Sequence, residues 1–256
     1  MTQIFRVSED HALAEKILDV ILRGWTRFLV EDPVSRPLWN DIFECFPEFH
    51  FGISSPDGRD LAAVGMTAPL AWDGPESELL SRGWHWALRQ SLEDFRAKRP
   101  VRTLCALNAV VAPPFRGQGY SEKIVTEMKN LTESHGFNRF IAPLRPTQKE
   151  RYPLTPIEQY ALWRRSDGEP FDSWLRVQKR CGCRIIGTAP RSIVIEAPLS
   201  SWREWTELEF FDSGKYILPG GAVPLEVDIE RGVGTYTAPS IWIAHDIPRS
   251  SHLCNP

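Results

Sequence analysis

The stretch Val110-Val111-Ala112-Pro113-Pro114-Phe115-Arg116-Gly117-Gln118-Gly119-Tyr120-Ser121 constrains the fold of this chain more than any other. An apolar run, 104–111, leads into it, and Ile124, Val125, Met128 and Leu131 beyond it recur on one helical face. The segment therefore reads as strand, glycine-bearing turn, helix. Such a turn aims consecutive backbone N–H groups and the positive end of a helix dipole at one point, which suits phosphate oxygens. Glycine is needed where a side chain would block close approach or disfavour the backbone angles. The spacing is neither the eight-residue phosphate loop ending in Gly-Lys-Ser/Thr nor the three-glycine dinucleotide fingerprint.

The pattern Val-x-Pro-x-x-Arg-Gly-x-Gly-x-Ser is similar to the pyrophosphate loop of the GNAT acyltransferase superfamily, usually written Arg/Gln-x-x-Gly-x-Gly/Ala. Arg116, Gly119 and Ser121 occupy its fixed positions; Ser121 departs from the usual Gly or Ala but is still small. The blocks at 69–74, 144–149, 151–156, 160–168 and 171–176, with tail segments at 214–220 and 236–242, resemble those of a bacterial and fungal subgroup of the superfamily. That likeness spans nearly the whole chain and says little about substrate.

Elsewhere the coarse pattern agrees. Leu13, Ile17, Val20, Ile21, Gly24 and Phe28 predict a helix over 12–29 that Ser8 or Asp10 would cap, before Pro33 and Pro37 break the pattern. Strands are expected at 49–54 and 61–71 around Pro56-Asp57-Gly58, a helix at 84–95, a strand at 101–111, a helix at 121–135 and a short strand at 139–142. A helix at 171–180 with Asp172 as N-cap and strands at 184–187 and 192–197 follow. This order matches the superfamily's core, a twisted mixed sheet flanked by helices in an α/β fold. Residues 1–200 form that core, with an insertion at 143–170, and 201–256 form a C-terminal extension packed on the same domain. The insertion is rich in Pro, Arg and Tyr, and long insertions in compact domains are more often functional than idle.

Composition narrows the partners. The chain has 256 residues, 42% hydrophobic, with ten tryptophans, enough for a sizeable core. A net charge of −3 gives no global basic field for nucleic acid. No stretch approaches the roughly 18 apolar residues of a membrane span, and the first residues open no signal peptide, so a cytoplasmic protein is expected. Cys45, Cys105, Cys181, Cys183 and Cys254 are odd in number and scattered, which argues against a disulfide framework. Cys181-Gly182-Cys183 reads as a tight helix-to-strand turn; no metal is expected.

The resemblance implies an N-acyltransferase that takes an acyl group from acyl-CoA, or a related phosphopantetheine thioester, to an amine of a small molecule by direct attack. It implies cofactor contacts at Val110, Val111, Arg116, Gly117, Gln118, Gly119, Tyr120 and Ser121, with N–H groups near Val110 polarising the thioester carbonyl. Relatives often carry a glutamate on the strand before the loop and a tyrosine four residues before a glycine on the last helix. Here 101–111 holds no Asp or Glu, and Gln178 stands four before Gly182. Acid and base then come from the insertion, or water carries the protons. Asn108, Tyr160 and Asp172 are the catalytic candidates, and Asp73, His85, Tyr152 and Glu158 stand behind them. Trp72, Asp73, Arg145, Lys149 and Trp163 are the substrate-binding candidates. The basic face of Arg145, Lys149, Arg151, Arg164 and Arg165 would hold a 3′-phosphate or an acceptor carboxylate, or stay solvated. Two other readings stay open: a donor carried on a carrier protein or a tRNA, and a silent module that binds CoA without catalysis. The sequence leaves the oligomeric state unspecified.

Overall fold

The structure, a computed structural model, describes residues 2–247; Cys254 lies outside them. Along the chain run β1 (Ile4–Arg6), α1 (Leu13–Gly24), α2 (Arg27–Val30), α3 (Trp39–Cys45), β2 (His50–Ser54), β3 (Leu61–Leu70), α4 (Trp84–Arg96) and β4 (Thr103–Val111). Then come α5 (Tyr120–Ser134), β5 (Arg139–Leu144), α6 (Ile157–Leu162), α7 (Ser173–Arg180) and β6 (Cys183–Pro198). The chain ends with α8 (Leu199–Thr206), β7 (Gly214–Tyr216), β8 (Leu225–Asp228) and β9 (Val233–His245).

The strands form one mixed sheet in the order β1-β2-β3-β4-β5-β9-β8-β7, with β6 along the other edge of β9. Its single parallel pair among the described residues is β4 with β5, which α5 connects as a crossover. The expected twisted mixed sheet flanked by helices is what forms. Helix α1 buries Leu13, Ile17, Val20 and Ile21, and packs on β2, β3 and β4. Each such side chain contributes roughly 1.5–3 kcal/mol when fully buried.

The predicted helix over 12–29 is broken in two. Trp25 turns extended, with φ −109° and ψ 153°, because its ring is drawn inward against Trp39 and Trp84 at 6.4 and 5.9 Å. Neither Ser8 nor Asp10 is the N-cap of α1: Ala12 holds that place without a side-chain bond, and Asp10 instead accepts from the Ala12 N–H at 3.0 Å. Asp172 does cap α7, its Oδ1 accepting from the N–H groups of Trp174 (2.9 Å) and Leu175 (3.2 Å).

The strands expected at 184–187 and 192–197 are one strand, β6, bulged between Ala189 and Ile193. Its partner comes from the tail. β9 lies between β5 and β6 in the sheet, so residues beyond 200 supply a central strand, and position 200 does not separate a core from an appendage. The insertion closes a second apolar cluster of Ala142, Leu144, Ile157, Tyr160, Ala161, Leu175, Ile241 and Ile243, with Tyr152, Trp163 and Phe171 against it. Trp202 of α8 is fully buried, donates to the Gly234 carbonyl at 2.9 Å and meets Phe28 and Tyr236. No helix of the described residues is long and apolar enough to cross a membrane.

Candidate functional site

The site begins where the sheet splits. β4 and β5 pair only from Thr103 to Cys105, and beyond that point their registers end while both strands continue. Into the gap opens a cleft of about 890 Å³. β4 is bulged there: Met66 and Thr67 of β3 face Asn108 and Ala106, leaving Leu107 over. Trp84 donates its indole N–H to the Leu107 carbonyl at 2.7 Å and so holds the bulge.

Antiparallel alternation decides which groups of β4 face the cleft. The Ala112 N–H donates to the Ala62 carbonyl at 2.9 Å, so Val110 turns its backbone toward Val64, while Ala109 and Val111 turn theirs away. The amides available to a thioester are therefore those of Ala109 and Val111. Val110, the expected centre of that contact, lines the cleft but turns its backbone groups to β3.

At the open end of the split lies the glycine-bearing turn. Gly117 and Gly119 have φ of +77° and +80°, the left-handed region that glycine enters without penalty. Gly119 is the N-cap of α5 and brings no capping side chain, so the first-turn N–H groups stay free for an anion. Arg116, Gly117, Gly119 and Ser121 line the cleft. Gln118 ties the turn to itself, donating to the Pro114 carbonyl at 3.0 Å. Tyr120 buries its ring, donates to the Ser54 carbonyl at 3.4 Å and does not line the cleft.

α7 contributes Trp174, Val177, Gln178 and Arg180 to the cleft wall, and Arg180 pairs with Glu122 at 2.8 Å. Gln178 accepts from His245 Nε2 at 2.8 Å, so its amide N–H groups remain for the cleft. Burial pushes the His245 imidazole down to about 4, so it is neutral at physiological pH. Trp25, Trp84, Asn108, Arg145, Ser192 and Ser240 also line the cleft. Ser192 accepts from the Trp84 N–H at 2.8 Å, an approach that requires glycine at position 83: a Cβ there would lie 2.2 Å from the Ser192 Cα.

Of the sequence candidates, Asn108 and Arg145 line the cleft. Asn108 is 4% exposed, and its Nδ2 approaches only the Met66 sulfur, at 3.9 Å. Tyr160 and Asp172 are brought together, but away from the cleft: the phenol donates to Asp172 Oδ2 at 2.9 Å inside the second apolar cluster. Burial, then the Asp172 charge, push the phenol up, so it stays protonated and is a weaker acid than a free tyrosine. Trp163 packs in the same cluster. Lys149 is fully buried, donates to the carbonyls of Tyr152 (2.8 Å) and Ala222 (2.7 Å), and is lowered by burial to about 8. It pins the insertion to the tail and does not line the cleft.

Trp72 and Asp73 follow β3 at the closed end of the split, beside Thr103, outside the cleft. His85 pairs with buried Asp32 at 2.7 Å and accepts from the Val194 N–H at 3.3 Å, tying α4 to β6. Burial raises the Asp32 carboxyl, but the His85 hydrogen bond and charge outweigh it and hold it low. Cys181-Gly182-Cys183 makes the turn from α7 to β6, with Gly182 at φ +85°. Sequence reasoning missed Trp25, Trp84, Ser192 and Ser240, whose neighbours in the cleft are distant in sequence. The one available signal was Gly24-Trp25 inside a helical pattern.

No protein-family model matches the chain. It is 28% identical over 249 residues to the arginine N-acetyltransferase avaD of Aspergillus versicolor, covering 87% of this chain and 85% of that one. Among solved structures it is similar to the loading GNATL domain of CurA from Lyngbya majuscula, with a TM-score of 0.62 at 14% identity over 96% and 98% of the two chains. It is also similar to the GphF GNAT-like decarboxylase solved with isobutyryl-CoA, with a TM-score of 0.52 at 14% identity over 96% and 99%. The split sheet and its terminal turn agree with these likenesses, and the chain has the fold of the GNAT acyltransferases.

Proposed function

We propose that this acyltransferase moves an acyl group from a CoA-type thioester to a primary amine of a small molecule by direct attack. The observation that carries the reading is the parting of β4 from β5 after Cys105, with the uncapped N-terminus of α5 at its mouth. The turn 116–121 holds the pyrophosphate through backbone N–H groups. Ala109 and Val111 give their free amides to the pantetheine and the thioester carbonyl. The relative named for arginine acetylation supports an amine acceptor of amino-acid size. The free thiols of Cys45, Cys105, Cys181 and Cys183 fit a reducing, cytoplasmic setting.

Among the described residues the carboxylates that line the cleft are Glu122, paired with Arg180, and Glu150, and β4 itself, with Asn108, carries none. The acceptor therefore arrives neutral, or loses its proton to water. Positioning supplies most of the barrier lowering, of which about 7–11 kcal/mol is available from orientation alone. Asn108 steadies the acceptor by hydrogen bonding, and the Gln178 amide faces the departing sulfur without giving it a proton.

The test is release of CoA thiol from acetyl-CoA over a panel of amines. Asn108→Ala should slow turnover about tenfold, a loss of about 1.4 kcal/mol. The rate should climb with pH toward the acceptor's own pKa. A profile set by an enzyme group near neutrality, or no turnover although acetyl-CoA binds, would contradict direct attack by a neutral amine.

A further inference from the structure

Two residues that line the cleft each carry a buried polar atom without a hydrogen-bond partner. Arg145 follows β5 and is fixed by its Nη2, which donates to the Gly220 carbonyl at 3.0 Å, yet its Nε is buried and unsatisfied. It forms no ion pair among the described residues. Ser240, 2% exposed, also has a buried hydroxyl without a partner. It sits in the stretch of β9 between the part paired with β8, which ends at Tyr236, and the part paired with β5, which starts at Ile241. Both residues line the same cavity as Asn108.

We propose that Arg145 and Ser240 form a subsite for a carboxylate carried by the amine acceptor. This rests on the acyl-transfer reading and names its substrate class as amino acids. Guanidinium is donor-only, and a hydroxyl on the lining of the same cleft adds a further donor for an acceptor-only anion. A neutral carbonyl would satisfy the hydrogen bonds but leave the half-buried charge unpaired, which is costly. Phosphate has its own place in that reading, on the turn before α5. Glu150 lines the same wall and is free of an ion pair among the described residues. Its charge disfavours a purely anionic ligand and suits one that also carries an amino group.

The experiment is calorimetric binding, with CoA present at saturation, of matched acids and amines: arginine and agmatine, lysine and cadaverine, tryptophan and tryptamine. At least one acid should bind tenfold or more tighter than its decarboxylated partner. Arg145→Gln should erase that preference, Arg145→Lys restore part of it, and Ser240→Ala weaken acid binding several-fold. CoA affinity, measured on each variant, reports whether the fold and the turn survive. Equal binding of acid and amine, no binding of any acid, or a preference that outlives Arg145→Gln overturns the subsite. Malonyl-CoA held more tightly than acetyl-CoA, with the difference lost in Arg145→Gln, would place the carboxylate on the acyl group and overturn the acceptor assignment. Failure of the wild-type protein to bind CoA would instead remove the acyl-transfer reading beneath it.

Discussion

The indole N–H of Trp84 donates at 2.7 Å to the carbonyl of Leu107, the residue left over by the bulge in β4. One bond from α4 thus fixes the point at which the central strand changes register, beside Asn108. Trp84→Phe keeps most of the packing and removes the donor, leaving a buried carbonyl unpaired at a cost of about 1–3 kcal/mol. Turnover should fall about tenfold while CoA affinity changes little, because the turn before α5 is untouched. Thermal melting, calorimetry and steady-state rates on one variant check all three expectations.

The turn itself depends on conformation more than on space. A Cβ at Gly119 would meet nothing within 4 Å, but φ there is +80°. Gly119→Ala should weaken CoA binding by about tenfold, equivalent to the roughly 1–2 kcal/mol cost of the left-handed conformation. Gly119→Asn should do less harm, since asparagine tolerates that region better. Equal CoA affinity in Gly119→Ala and wild type would show that the turn does not grip the donor.

Tyr160→Phe separates a structural hydrogen bond from a catalytic one. Asp172 would lose the phenol donor but keep the N–H groups of Trp174, Leu175 and Gln148. Stability should drop by about 0.5–1.5 kcal/mol, with kcat unchanged. A fall in kcat of tenfold or more, at unchanged melting temperature, would return Tyr160 to the chemistry.

His50 and His245 set an acid limit. Burial lowers both from 6.5 to about 4, and each is almost wholly inaccessible. The folded state keeps them neutral while the unfolded chain takes up protons below 6.5, so the unfolded state binds more protons between pH 6.5 and 4. Stability is therefore full above pH 6.5 and falls on acidification through that window, by about 3 kcal/mol for each histidine at pH 4. Urea unfolding at pH 7 and pH 4.5 measures the slope, and His50→Phe should flatten part of it.

Legibility followed the range of the interactions. The strand–turn–helix at 104–134, the Asp172 cap and the α5 face of Ile124, Val125, Met128 and Leu131 are set by residues a few positions apart. Their spacing in sequence is their spacing in space. The roles first considered for Tyr160, Asp172 and Lys149 could not be told apart from packing roles at that range. A buried tyrosine with a carboxylate partner and a catalytic one have the same sequence signature.

The sequence by itself determined the likeness to the GNAT acyltransferases, the turn before α5 and the lack of a carboxylate on β4, because each is a matter of local residue identity and order. Only the tertiary structure decided that β9 from the tail lies between β5 and β6, that the Ala109 and Val111 amides face the cleft, and that Trp84, Arg145, Ser192 and Ser240 line one cleft. Strand pairing across about a hundred residues and the parity of a bulged ladder depend on which edges meet. No short window of residues carries that information.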